Sequence, residues 1–233
     1  MNNNESFFHP NCRALIIGSS GAIGSAIVED LKRRIRPDDL VTINRQESGL
    51  DFMKPETVAS SSVGIEGPFQ LILVATGALE INKAGPEKSL SAIDSDTMLN
   101  QFRVNTIGPT LLLKHFMKFL PRTGKSVFAT LSARVGSIED NRLGGWISYR
   151  ASKAALNQVV KTASIEASRK NPQSLFMVIH PGTVKSKLTQ KYLGNHKFVL
   201  PVEAAKNILQ VIEEKDHEDT GGFYAFDGQK IPY

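Results

Sequence analysis

Short runs that are apolar at every residue or nearly so, separated by stretches with helical spacing, limit what this chain can fold into more than any other feature. Leu71-Ile72-Leu73-Val74 has no alternation of apolar and polar residues, and Leu40-Val41-Thr42-Ile43 has almost none. A strand of this kind must be covered on both faces, which is the situation inside a parallel sheet flanked by helices. Cys12-Arg13-Ala14-Leu15-Ile16-Ile17, Lys125-Ser126-Val127-Phe128-Ala129-Thr130-Leu131, Leu175-Phe176-Met177-Val178-Ile179 and Gly222-Phe223-Tyr224-Ala225-Phe226 read as further strands.

Helical segments fall between them. Ile23, Ala26, Ile27 and Leu31 recur at helical spacing, and an Asp94-Ser95-Asp96 capping signal opens a long helix to about Leu120, with Gly108-Pro109 as a kink or tight packing point. Another helix carries Tyr149 and Lys153 and ends near Arg169, and one starts at Pro201 and runs to about Glu214. Strands alternating with helices predict an α/β fold with a single doubly wound parallel sheet (a Rossmann fold) and helices on both faces. Residues 1–11 are expected to be a flexible N-terminal tail, and residues 12–233 one domain of this fold.

Composition narrows the function. A net charge of +5 is spread along the chain without a Lys/Arg block, which argues against nucleic acid as a partner. No apolar run approaches the roughly 18 residues of a membrane span. The start lacks the basic-then-apolar order of a secretory signal, and the lone Cys12 excludes an internal disulfide, so a reducing cytoplasm is expected. No metal ion is called for.

The turn after the first strand reads Gly18-Ser19-Ser20-Gly21-Ala22-Ile23-Gly24. Glycines there let the backbone approach a pyrophosphate at a helix N-terminus, where unpaired N–H groups and the helix dipole favour negative charge. At the end of the second strand, where a carboxylate would suit the ribose of NAD, the chain has Asn44-Arg45. A guanidinium suits a phosphate monoester, so NADP(H) is favoured over NAD(H). Tyr149 and Lys153 stand one helical turn apart and project from one face.

Taken in order, these features resemble the short-chain dehydrogenase/reductase family. The likeness covers nearly the whole chain from about Arg13: the Gly18 to Gly24 turn, Ala75-Thr76-Gly77 after a strand, Val104-Asn105 in a helix, Leu131-Ser132 at a strand end, the Tyr149/Lys153 pair, and Pro181-Gly182-Thr183-Val184-Lys185-Ser186. Ser132 to Ile138 and the ending Asp227 to Tyr233 look most like C-factor-like and sniffer-like carbonyl reductases. Two departures stand out. Ala22 occupies the middle glycine position of the family's turn, with Gly21 one residue earlier. Ala133 lies where the family usually has its serine, three residues before Gly136. Either the strand end is shifted by one residue so that Ser132 serves, or the site lacks its serine; Ser132 is the reading taken here, with Ser137 as the fallback.

The resemblance implies an NADP(H)-dependent reductase of a small aldehyde or ketone. Tyr149 would protonate the carbonyl oxygen, Lys153 would lower the phenol's pKa, Ser132 would hold the substrate oxygen, and Asn105 would support a water network. Bringing a phenol from near 10 to near neutrality takes roughly 3 to 4 kcal/mol, and an ammonium about 4 Å away at an effective dielectric near 20 gives about 4 kcal/mol. Family analogy adds Asp51 as an adenine contact, Ala75 and Gly77 beside the adenosine, and Pro181, Gly182, Val184 and Ser186 near the nicotinamide. The loop from Lys187 to Leu200 would cover the substrate; it mixes Leu188, Tyr192, Leu193 and Phe198 with Lys187, Lys191, His196 and Lys197, which suits either an apolar or an acidic compound. A homodimer or homotetramer paired through the helices at 96–120 and 146–169 is also implied. A cofactor-binding regulatory protein with little or no turnover is the alternative. A sugar-nucleotide epimerase is disfavoured, because only 80 residues (233 − 153) follow Lys153.

Overall fold

The computed structural model describes residues 6–192 and 197–233. Strand β1 (Ala14–Ile17) turns into helix α1 (Ala22–Leu31); then come β2 (Leu40–Ile43), the short helices α2 (Arg45–Ser48) and α3 (Glu56–Ser60), and β3 (Leu71–Val74). Helices α4 (Ser95–Phe102) and α5 (Gly108–Phe116) are joined by π-helical residues Arg103–Ile107. The chain continues as β4 (Ser126–Leu131), α6 (Ile147–Ser168), β5 (Ser174–His180), α7 (Pro201–Glu214) and β6 (Gly222–Ala225).

The six strands form one parallel sheet in the order β2-β1-β3-β4-β5-β6. This is the doubly wound α/β architecture expected from the unbroken apolar runs, and each strand lies within two residues of its predicted bounds. Successive side chains point to opposite faces. Ile16, Leu73, Ala129 and Met177 meet Ile27 and Leu31 of α1 and Ile208 and Leu209 of α7. Ile17, Val74, Phe128 and Phe176 meet Leu112 and Phe116 of α5 and Leu156 and Val160 of α6. Each of these side chains larger than Ala129 contributes about 1.5–3 kcal/mol by leaving water. β1 has β2 on one side and β3 on the other, so the crossovers diverge there and open a crevice at the carboxyl ends of the strands.

One expectation changes and one is decided between its two alternatives. Phe8 is buried in the core and Phe7 packs against it, so residues 6–11 are docked rather than loose; residues 1–5 lie outside the described residues. Gly108 is a packing point rather than a kink: its helical backbone passes so close to Phe52 that a Cβ would lie 2.3 Å from the ring. Among the described residues no helix is long and apolar enough to cross a membrane.

Candidate active site

The predicted site residues follow the carboxyl ends of five adjacent strands. Gly18 N–H and Ser19 N–H both donate to Ile43 O, closing the turn after β1 onto β2. A Cβ on Gly18 would come within 2.9 Å of the Ala75 backbone, and one on Gly24 within 2.2 Å of Gly18 O. Gly21 has no such crowding, and it caps α1 without any side-chain hydrogen bond. The first N–H groups of α1, at Ala22, Ile23 and Gly24, are therefore free of a side-chain cap, in a turn with no room for side chains at two of its three glycines.

Asn44 is engaged differently from the expectation. Its Oδ1 accepts from Gln46 N–H and Glu47 N–H at the start of α2, and its Nδ2 donates to Ser19 Oγ and to Glu47. The side chain braces the glycine turn against β2. Arg45 carries an exposed guanidinium 3.2 Å from Asp51, which joins the two residues expected at the adenosine end.

The Tyr149/Lys153 pair sits in the first two turns of α6. Lys153 is only 2% exposed, and its Nζ donates to Leu131 O at 3.1 Å. Burial lowers it to about 8. An ammonium has three donors, so two remain without a partner among the described residues. Burial pushes the Tyr149 phenol well above its usual value. Nζ lies 6.0 Å over the ring centroid and donates to the Leu131 carbonyl, so burial outweighs the ammonium in setting the phenol of the free protein.

Asn105 is fully buried in the π-helical segment. Its Nδ2 donates to Ala78 O and Gln101 Oε1, and its Oδ1 accepts from Ala78 N–H. The side chain clamps the segment after β3. A Cβ on Gly77 would lie 3.3 Å from both Asn105 Oδ1 and Lys153 Nζ, so the glycine backbone, Asn105 and Lys153 converge.

Ser132 is buried, and its hydroxyl donates to Asn157 Oδ1 at 2.6 Å. The fallback Ser137 is also buried, and its Oγ accepts from Asp140 N–H. Pro181 and Gly182 follow β5, with Phe226 packed where a Gly182 Cβ would point. Val184 is buried, and Ser186 N–H donates to Thr189 Oγ1, so these residues form a turn beyond β5. No hydrogen bond ties that turn to Tyr149 or Lys153 among the described residues. Of the expected covering loop, Leu193 and His196 lie outside the described residues.

Several participants had no sequence signal. Glu87 is buried at the start of α6: its carboxylate accepts from Ser148 N–H and Ser148 Oγ, and its carbonyl accepts from Trp146 N–H. Asn157, one turn beyond Lys153, was within reach, because it continues the Tyr149/Lys153 stripe at helical spacing. Thr76 Oγ1, Thr130 Oγ1 and His180 Nδ1 are buried without a partner among the described residues, and all three lie toward the carboxyl ends of β3, β4 and β5. Orphaned polar atoms along an edge whose glycines leave no room for side chains fit a polar ligand lying across it.

A doubly wound sheet with a glycine turn at its switch point and a buried lysine one turn from a tyrosine defines a dinucleotide-binding domain of the Rossmann type. A family model described as enoyl-(acyl carrier protein) reductase matches residues 68–229. The C-signal of Myxococcus xanthus is 30% identical over 167 residues, covering 69% of this chain and 96% of that protein. The chain belongs to the short-chain dehydrogenase/reductase family of NAD(P)-dependent oxidoreductases. A 1-hydroxy-2-glutathionyl-2-methyl-3-butene dehydrogenase of a Rhodococcus species is 29% identical over 78% of this chain and 77% of its own. The NADPH-bound carbonyl reductase from chicken fatty liver has the same fold, with a TM-score of 0.78 at 21% identity over 95% of this chain and 98% of that one.

Proposed function

We propose that this chain reduces a small aldehyde or ketone with NADPH, Tyr149 giving the proton to the carbonyl oxygen. The observation that carries the reading is the convergence of Lys153, Gly77 and Asn105 one helical turn from Tyr149. A bound nicotinamide nucleotide would supply the hydride. Gly18, Ser19, Ser20, Gly21, Ile23 and Gly24 would hold its pyrophosphate, and Ala75 and Gly77 its adenosine side. Arg45, Asp51 and the backbone of Asn44 would meet the adenine end, with Arg45 favouring NADP(H) over NAD(H). Pro181, Gly182, Val184 and Ser186 would lie at the nicotinamide end.

The chain's own groups support that direction of reaction. A phenol raised by burial keeps its proton at neutral pH, as a donor must. Lys153, lowered only to about 8, is mostly an ammonium at neutral pH and stabilises charge developing on the phenolic oxygen as the proton leaves. Ser132 acts through Asn157 as a positioning residue that fixes β4 against α6. The proposed setting is a reducing cytoplasm, with copies paired through helices α4 to α6, where Leu99, Ile107 and Ile165 are exposed.

The test is to titrate the protein with NADPH and NADH by fluorescence, then follow NADPH oxidation across a carbonyl panel. NADPH binds more tightly than NADH, and Tyr149→Phe loses activity about a hundredfold or more while binding is kept. Absence of binding for both nucleotides, or equal turnover in the variant, overturns the reading. The engagement of Ser132 by Asn157 favours one second reading, a regulatory protein like the C-signal with little turnover. Its mark is NADPH binding with a biological output that survives Tyr149→Phe.

A further inference from the structure

Trp146 is a tryptophan in a left-handed backbone conformation, with φ 53 and ψ 40, directly before α6. A bulky residue avoids this region unless its surroundings impose it, and such outliers concentrate at functional sites. Here the imposition is visible. Trp146 N–H donates to Glu87 O at 2.5 Å, while the Glu87 carboxylate holds Ser148, two residues on in the first turn of α6. The result is an indole beside the proposed proton donor: its ring meets Tyr149 edge to face at 6.3 Å and Tyr192 edge to face at 5.4 Å.

Tyr192 is seated as deliberately. Asn82 and Lys83 both have positive φ and lie between the bridged residues Ile81 and Ala84, a tight two-residue turn that brings Glu80 and Gly85 together. The Tyr192 hydroxyl donates to Glu80 at 2.6 Å, and a Cβ on Gly85 would lie 2.7 Å from that same hydroxyl. Glu80 also binds the Lys191 ammonium at 2.8 Å, and the Arg150 guanidinium donates to the carbonyls of Gly144, Gly145 and Val135. Lys191 and Arg150, the sequence neighbours of Tyr192 and Tyr149, are thus held within the protein, so neither is free to draw an acidic compound to these rings.

We infer that Trp146 and Tyr192 form an aromatic corner beside Tyr149 that selects an uncharged aryl aldehyde or aryl ketone, with Glu80 as the positioning residue that seats Tyr192. This rests on the reductase reading and names its substrate class. Aromatic rings favour edge-to-face or offset contacts with centroids about 4.5–7 Å apart, and both contacts of the indole fall in that range. A planar ring entering the corner gains such contacts, whereas an alkyl chain of equal size gains only burial.

Trp146 is the single tryptophan of the chain, so its emission reports the corner directly. The experiment titrates the full chain with benzyl alcohol and with 1-hexanol, following that emission, and separately compares kcat/KM for benzaldehyde and hexanal with NADPH. Benzyl alcohol should bind about tenfold more tightly, and benzaldehyde should be preferred by about the same factor. Tyr192→Ala should cut both preferences to about twofold, chiefly through Kd and KM, while Tyr192→Phe, which keeps the ring but loses its bond to Glu80, should match Glu80→Ala. Glu80→Ala, which removes no ring but unseats Tyr192, should weaken benzyl alcohol binding several-fold and serves where Tyr192→Ala does not fold. Equal affinity for the two alcohols in the wild type, or an undiminished preference in folded Tyr192→Ala and Glu80→Ala, overturns the inference. Selective binding of benzyl alcohol without oxidation of NADPH by either aldehyde would instead reject the reductase reading and leave the aryl site standing.

Discussion

Ser132 Oγ donates to Asn157 Oδ1 at 2.6 Å, two turns along α6 from Tyr149, and both residues are almost completely buried. The pair ties the end of β4 to the helix that carries the tyrosine. Ser132→Ala leaves the Asn157 carbonyl buried without its donor, at a cost of about 1–3 kcal/mol. The expected outcome is a lowered urea midpoint with kcat reduced less than tenfold. A hundredfold fall in kcat at unchanged stability would show instead that Ser132 reaches the substrate oxygen.

Reductase activity should fall as pH rises through about 8. Lys153 is lowered to that value by burial, so it is an ammonium below it and neutral above it. Tyr149 is pushed upward and keeps its proton over the same range, which leaves the lysine as the group that titrates. A kcat/KM profile with NADPH that stays flat from about pH 7 to 10 contradicts this assignment.

Arg45 stands exposed beside Asp51 at the end of β2. Arg45→Ala should raise the Kd for NADPH about five- to tenfold and leave NADH within twofold, because a solvent-facing charge-assisted bond is discounted by screening. Asp51→Asn releases the guanidinium and should move NADPH affinity the other way. Fluorescence titration of both nucleotides reads the two effects.

Gly24→Ala would place a Cβ 2.2 Å from Gly18 O, a backbone atom in a turn fixed by Ile43 O. Overpacking against such a group costs about 1–3 kcal/mol or more. We expect a lower melting temperature and loss of NADPH binding. Gly21→Ala, whose Cβ meets nothing closer than 3.4 Å, should melt within a few degrees of the wild type.

His180 is lowered to about 4, by burial first and by the Arg134 charge second, with Asp227 opposing. The unfolded imidazole titrates near 6.5. As pH falls below about 6.5 the unfolded chain takes up the proton first, so stability is intact above that pH, declines toward about 4 and levels off below. The loss is at most roughly 3 kcal/mol. His180→Gln should flatten this limb in denaturation curves collected from neutral to acid pH. An acid limb as steep as that of the wild type assigns the decline to other groups.

What the sequence determined by itself was whatever depends on local periodicity and order: six doubly covered strands, the helices between them, the glycine turn at the first crossover and the Tyr149/Lys153 stripe. These are properties of single segments, because burial on two faces removes alternation and a helix repeats every 3.6 residues. The tertiary structure decided which partner each polar group found. Lys153 found Leu131 O, Ser132 found Asn157, Asn105 closed on Ala78, and Glu87 locked Trp146 in a left-handed turn. Hydrogen bonds weaken steeply within an ångström, so their pairing depends on how closely helices and loops from distant parts of the chain approach the sheet, which no spacing along the chain records.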